Sequence, residues 1–163
     1  MTDGVESRPG AGSSDPAPEL PTDPDVVSRT GPGRSDLDVA LAVAAGGAIG
    51  GGARFALSWA WPHVGAGFPW ATFAANVSGS LMLGVLMVFV ADVWRPRRYA
   101  RPFLGVGVLG GFTTFSTFAT ETDALIRQGA FGMALVYVGA TVALGLCATA
   151  LGMILTRKAV GVG

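Results

Sequence analysis

Gly110-Gly111-Phe112-Thr113-Thr114-Phe115-Ser116-Thr117-Phe118 lies inside an apolar stretch that runs from about Phe103 to Leu125. That stretch is long enough to cross a hydrocarbon core of ~30 Å at ~1.5 Å per residue. Paired glycine followed by three Thr and one Ser among three Phe is nevertheless a poor uninterrupted membrane helix. The composition allows a break, and carbonyls freed by a break inside a bilayer must be satisfied by protein, water or an ion. Phe115 and Phe118 are spaced i, i+3, so their rings share a face. Aromatic edges carry partial positive charge and can face an anion weakly, although Phe at this spacing more often serves packing.

Three further apolar stretches flank this one, from about Val39 to Ala60, Phe68 to Trp94 and Phe131 to Leu155. The connections are short and carry Pro62 and Pro69, then Pro96 and Pro102, then Gln128-Gly129. Trp59, Trp61, Trp70, Trp94 and Tyr99 cluster at span ends, where amphipathic rings favour the membrane interface. A soluble bundle would need polar faces on these helices, and they have almost none. The reading is an all-α membrane protein of four transmembrane helices with a break in the third. Gly46, Gly47, Gly50, Gly51 and Gly52 in the first span, with Gly139 and Ala143 in the fourth, offer small faces for close helix approach.

The full chain has 163 residues, 25 glycines, 13% charged residues and a mean hydropathy of +0.51. Its net charge of zero conceals a division. Residues 1–38 hold eight acids against three bases, and the rest holds three acids against eight bases. Residues 1–38 also take six of the ten prolines, and read as a disordered acidic tail with too few apolar residues to offset the entropy of ordering. They lack the basic start and short apolar core of a signal peptide. Residues 39–157 form the membrane domain, and 158–163 a short C-terminal tail. Cys147 is the single cysteine and reads as a small buried side chain; His63 is the single histidine and reads as a solvated loop residue. Hydrolytic triads and zinc sites built on these residues are excluded, and no enzyme is expected.

Arg95, Arg97, Arg98 and Arg101 in the second loop, Arg157 and Lys158 after the fourth span, and Arg29 and Arg34 before the first all fall on one side. Arg127 and Arg54 fall on the other. This bias of eight to two predicts cytoplasmic N- and C-termini in a multi-pass plasma-membrane protein.

Polar residues at depth are costly unless they are paired or line a water path. Thr72, Asn76 and Ser80 are spaced i, i+4, i+8 and form one stripe on the second span. An amide offers two N–H donors without charge, which suits an anion held briefly. The same amide suits a hydrogen bond between helices, and spacing alone leaves both open. Tyr137 and Thr141 lie one turn apart in the fourth span and extend a hydroxyl track. Glu121 at the end of the third span and Arg54 towards the end of the first read as interfacial or paired residues.

These segments together resemble the Fluc/CrcB fluoride channels: Gly46-Gly47-Ala48-Ile49-Gly50-Gly51-Gly52-Ala53-Arg54-Phe55, then Phe68-Pro69 leading to Asn76, then the Gly110–Phe118 string with Glu121. The resemblance covers about residues 39–157, and the third-span string is its most specific part. It implies a passive fluoride-selective channel that exports F⁻ and so lowers its cytoplasmic toxicity. It implies an antiparallel dimer with two pores and a structural sodium ion, Na⁺, at the dimer centre. Asn76 would donate to fluoride, Thr72 and Ser80 of its stripe are counted with it as pore residues, and Phe115 and Phe118 would line the pore with their ring edges. Backbone carbonyls of Gly110 and Thr113 would hold the sodium. Tyr137 and Thr141 match pore-side polar positions more loosely, and Arg54 matches the first-span arginine. Membrane lipid surrounds such a protein, and no nucleic-acid partner is expected. One feature departs from a dual-topology homodimer, which needs little charge bias. The bias here suggests a chain that inserts mainly one way and pairs with an inverted paralogue. A four-span drug or cation exporter, the main competing reading, would need an early membrane-embedded carboxylate, and residues 39–60 contain none. A purely structural membrane subunit is the other competing reading.

Overall fold

The computed structural model describes residues 34–63, 65–93 and 98–161. Helix α1 spans Arg34–Ala60, and α2 spans Trp70–Val88 and continues through a π-helical turn at Phe89–Val93. The third span opens with a π-helical segment, Arg101–Leu109, which runs into the short α3, Gly110–Phe112; α4 follows at Phe115–Arg127. Helix α5 is Phe131–Val160. The four segments Asp36–Ala60, Trp70–Val93, Arg101–Arg127 and Phe131–Val160 are each long and apolar enough to cross a membrane. No strand occurs among the described residues. A bilayer core offers backbone groups no water, so continuous helices, which bond their own backbone, are the form such segments take.

Two boundaries differ from the sequence reading. Helix α1 begins at Arg34, inside the stretch assigned to the tail, and α5 continues to Val160. Asp36 in the first turn of α1, and Arg157 with Lys158 in the last turn of α5, suit the helix dipole and favour these extensions. The remainder of the acidic tail, residues 1–33, lies outside the described residues, as do Trp94, Arg95, Pro96 and Arg97 of the second loop.

Backbone contacts give the topology. Gly46 lies against Phe103 and Gly107, and Gly50 against Val108 and Phe112, so α1 and the third span run parallel. Ser80 lies beside Gly145 and Thr149, Gly84 beside Thr149 and Met153, and Asp92 pairs with Arg157 at 3.4 Å. Helices α2 and α5 are therefore also parallel. Asn76 meets Thr114 and Thr72 meets Glu121, so α2 and the third span are antiparallel. This is the order a chain makes by crossing a membrane four times.

Each parallel pair is held by glycine. A Cβ on Gly46, Gly50, Gly84 or Gly152 would run into main-chain atoms of the facing helix. Lipid gives no hydrophobic drive for helix association, so this close backbone approach supplies the dispersion contacts that hold the helices. The small face read at Gly139 and Ala143 packs against no other helix among the described residues. Both residues are exposed, and a Cβ on Gly139 would meet nothing within 4 Å. Helix α5 turns Gly145 and Gly152 to α2 instead. Gly145 is two residues, about 200°, from Ala143 on a helix, so the two faces are nearly opposite.

The α4–α5 turn is closed by Gly129 at φ +75°. Ala130 N–H bonds the Leu125 carbonyl and Gly129 N–H that of Ile126, the paired bonds of a Schellman cap. Just below the turn, Leu125, Ala134 and Tyr137 form a small buried cluster, with Phe68, Phe73 and Phe118 packed around it. Most other large apolar side chains, among them Phe55, Leu135 and Leu146, face outward, as expected of surfaces that meet lipid or protein. Cys147 belongs to this outward set, which corrects its reading as a buried residue. An apolar bilayer makes an outward thiol as acceptable as an inward one.

Candidate functional site

The third span breaks where its composition pointed. Thr113 (φ −81°, ψ 156°) and Thr114 (φ −149°, ψ 124°) are extended, between helical residues on both sides. Thr114 is the N-cap of α4, its Oγ1 accepting from Thr117 N–H at 3.2 Å. The exposed peptide groups of the break are tied by two other helices. Asn76 donates through Nδ2 to the Thr114 carbonyl (3.0 Å), and its Oδ1 accepts from Thr114 N–H (2.9 Å). Arg54 donates through Nε to the Gly111 carbonyl (3.1 Å). Arg54 is thus paired, and Asn76 is a clamp between helices with one amide N–H left over among the described residues.

The clamp also frees carbonyls. In a continuous helix the N–H of Thr114 would reach the Gly110 carbonyl, and that of Thr117 the Thr113 carbonyl. Both donors are engaged elsewhere, by Asn76 and by Thr114 Oγ1. Gly110 is exposed on the single chain. Two hard oxygen donors per chain therefore lie at the break, a donor type suited to a small hard cation. Among the described residues no cluster of three His, Cys, Asp or Glu is present.

Beside the break runs a groove of about 540 Å³, whose lining includes Asn76, Ser80, Thr114, Phe115, Phe118 and Thr141. Apolar carbon makes up most of the rest, and no charged side chain lines it. The Phe115 and Phe118 rings stand 6.1 Å apart at 42°. Phe115 is strongly exposed to the groove side of the single chain, and Phe118 is half-buried, 5.1 Å from the Tyr137 ring.

The second-span stripe divides. Thr72 is buried outside the groove and donates to Glu121 Oε1 at 2.9 Å; the fully buried Tyr137 donates its hydroxyl to Glu121 Oε2 at 2.7 Å. Thr141 does line the groove, and its Oγ1 donates to the Tyr137 carbonyl. Glu121 does not end the third span, since α4 continues to Arg127. It is a half-buried acceptor with both oxygens engaged. His63 is likewise only half-exposed, in a separate recess with Trp61, Phe68 and Trp70.

Sequence reasoning missed the capping role of Thr114 and missed Thr149 altogether. Thr149 lines the groove and donates to the carbonyls of Ser80 (3.1 Å) and Gly145 (3.0 Å). Its signal was present: Thr149 lies eight residues after Thr141, on the same helix face.

Residues 41–153 match the family model described as CrcB-like protein, Camphor Resistance (CrcB). The chain is 47% identical over 121 residues to a protein of Streptomyces avermitilis named fluoride-specific ion channel FluC 3, a match covering 74% of this chain and 59% of that one. It is 45% identical over 131 residues to FluC 2 of the same organism, covering 77% and 83%. A third relative, the fluoride-specific ion channel FluC of Rhodospirillum centenum, is 45% identical over 125 residues, covering 76% and 99%. These relatives are named as channels, not as enzymes. A four-span helical chain with a clamped break in its third span, matched over most of its length in this way, belongs to the CrcB family.

Proposed function

We propose that this chain forms a fluoride-selective channel that lets F⁻ leave the cytoplasm passively. The observation that carries the reading is the groove at the break, lined by an amide, hydroxyls and phenylalanine rings and by no charged side chain. Fluoride is small and tightly hydrated, so a path must replace its water yet release it. Neutral donors and ring edges meet both demands, and a lysine would hold the ion too firmly. The names of the relatives point the same way. In this reading Asn76 donates its remaining N–H to the ion, Phe115 and Phe118 present ring edges, and Ser80 and Thr141 continue the polar wall. Thr72, Tyr137 and Glu121 brace that wall from behind.

The working unit we propose is an antiparallel dimer, in which the exposed groove of one chain is closed by the other. The freed carbonyls of Gly110 and Thr113, doubled by a partner, suit a structural sodium ion, which would neutralise their partial charge and pin the subunits. The charge bias favours cytoplasmic termini in the plasma membrane and an inverted paralogue as partner. Expression of this chain alone with full efflux and both orientations present would remove the paralogue.

The channel is tested by efflux from loaded liposomes, where F⁻ release without Cl⁻ release supports it. Asn76→Asp should suppress the flux by placing negative charge beside the path. Proton-coupled movement of a drug or cation would favour an exporter instead. Both oxygens of Glu121, the one carboxylate in the third span's depth, already accept hydrogen bonds, which weighs against that alternative.

A further inference from the structure

A hydroxyl inside a helix in apolar surroundings has a ready acceptor, the carbonyl one turn back. This chain uses it repeatedly. Thr113 donates to the Leu109 carbonyl, Thr141 to that of Tyr137, Thr149 to that of Gly145 and Thr156 to that of Gly152. Ser78, on α2 itself, donates to the Ala74 carbonyl. In the groove, Thr114 is engaged with Thr117. Ser80 is the exception: among the described residues its hydroxyl has no hydrogen-bond partner, although its acceptor would be the Asn76 carbonyl one turn back. Its own carbonyl is occupied by Thr149.

Space beside Ser80 comes from Gly145. A Cβ there would stand 3.4 Å from Ser80 Oγ, in ordinary contact, and would cover that side of the hydroxyl. Among the described residues the groove therefore offers two uncommitted side-chain donors, the second N–H of Asn76 and the O–H of Ser80. They lie four residues apart on α2, one helical turn, or about 6 Å along the path.

We propose that Ser80 is a second fluoride-donor position, one turn beyond Asn76, and that Gly145 is a positioning residue that keeps its hydroxyl open to the path. This rests on the channel reading and deepens it. A donor at each turn lets an ion gain a new hydrogen bond as it gives up the last, so it need not regain its full water shell between them. Thr149 assists by holding the backbone at Ser80 to α5.

The test uses the full chain in liposomes, with F⁻ release followed by a fluoride electrode and thermal melting followed in parallel. Ser80→Ala should slow release about tenfold, the scale of one hydrogen bond to a charged group, with an unchanged melting temperature because no bond is lost. Ser80→Thr should retain most of the flux, and Gly145→Ala should slow it. In Ser80→Ala/Gly145→Ser a hydroxyl returns from the opposite wall, and flux should recover relative to Ser80→Ala/Gly145→Ala. If the unaltered chain releases no fluoride, the channel reading falls and this proposal with it. If the unaltered chain conducts and Ser80→Ala conducts equally, the channel stands and the second donor position is overturned. A Gly145→Ala variant at the full rate overturns the role of Gly145, and absence of recovery in the double variant overturns the claim that a hydroxyl in that space is what counts.

Discussion

Asn76→Ala probes the joint on which the broken span depends. The side chain makes two hydrogen bonds to one residue, Nδ2 to the Thr114 carbonyl at 3.0 Å and Oδ1 from its N–H at 2.9 Å. Truncation removes both and leaves a peptide N–H and C=O without partners beside an apolar groove. Each orphaned group costs about 1–3 kcal/mol when buried. Thr114 is only half-buried, so the lower part of that range applies, and the pair together is worth roughly 2–4 kcal/mol. For a membrane domain of this size that corresponds to a fall in melting temperature on the order of 10 °C. The assay is thermal unfolding of the purified protein in a mild detergent, with Ser80→Ala as the matched control. Ser80 is one turn away on the same helix and lines the same groove, but its side chain makes no hydrogen bond among the described residues. Asn76→Asp should fall between the two, because it keeps the acceptor for Thr114 N–H and sets an oxygen against the Thr114 carbonyl. If Asn76→Ala melts within a degree or two of Ser80→Ala, the clamp does not hold the break, and the extended geometry at Thr113 and Thr114 must be maintained by something else.

Gly50→Ala should destabilise by about 1–3 kcal/mol, the usual cost of overpacking, since its Cβ meets the Val108 main chain. Gly52→Ala, where nothing lies within 4 Å, should be neutral or gain up to ~1 kcal/mol from helix propensity; melting of the two variants side by side checks both. Tyr137→Phe and Thr72→Val each remove one donor to Glu121 and should cost about 1–2 kcal/mol. Their double variant should depart from additivity, because both act on one carboxylate, and a double-mutant cycle by thermal unfolding measures the difference. Gly129→Ala should lose about 1 kcal/mol by forcing a Cβ into a left-handed conformation at the α4–α5 turn, again read as a lower melting temperature.

What the sequence made legible was whatever one segment decides alone. Four apolar runs of spanning length declare four membrane helices, and Gly110-Gly111 followed by hydroxyl residues declares a break, because both follow from local composition. What stayed hidden was every choice of partner. Spacing puts Thr72, Asn76 and Ser80 on one face, but it cannot say that Thr72 belongs to Glu121, Asn76 to Thr114 and the Ser80 hydroxyl to no partner among the described residues. Glycine spacing likewise marks both the Gly139–Ala143 face and the Gly145–Gly152 face as suitable for close packing, and only the position of α2 selects the second. The start of α1 at Arg34 and the depth of Glu121 were missed for a related reason: polar residues count against a span in any hydropathy argument, even when a helix dipole or a pair of hydroxyls accommodates them. The hydrogen bonds then carry the reasoning further than the face does. Once Arg54, Asn76 and the hydroxyls of Thr113, Thr114, Thr141 and Thr149 are each assigned an acceptor, the side-chain donors left in the groove reduce, among the described residues, to one N–H of Asn76 and the hydroxyl of Ser80. A path with so few free side-chain donors can strip a small anion only partly and briefly, which is the condition for passing it on and not storing it.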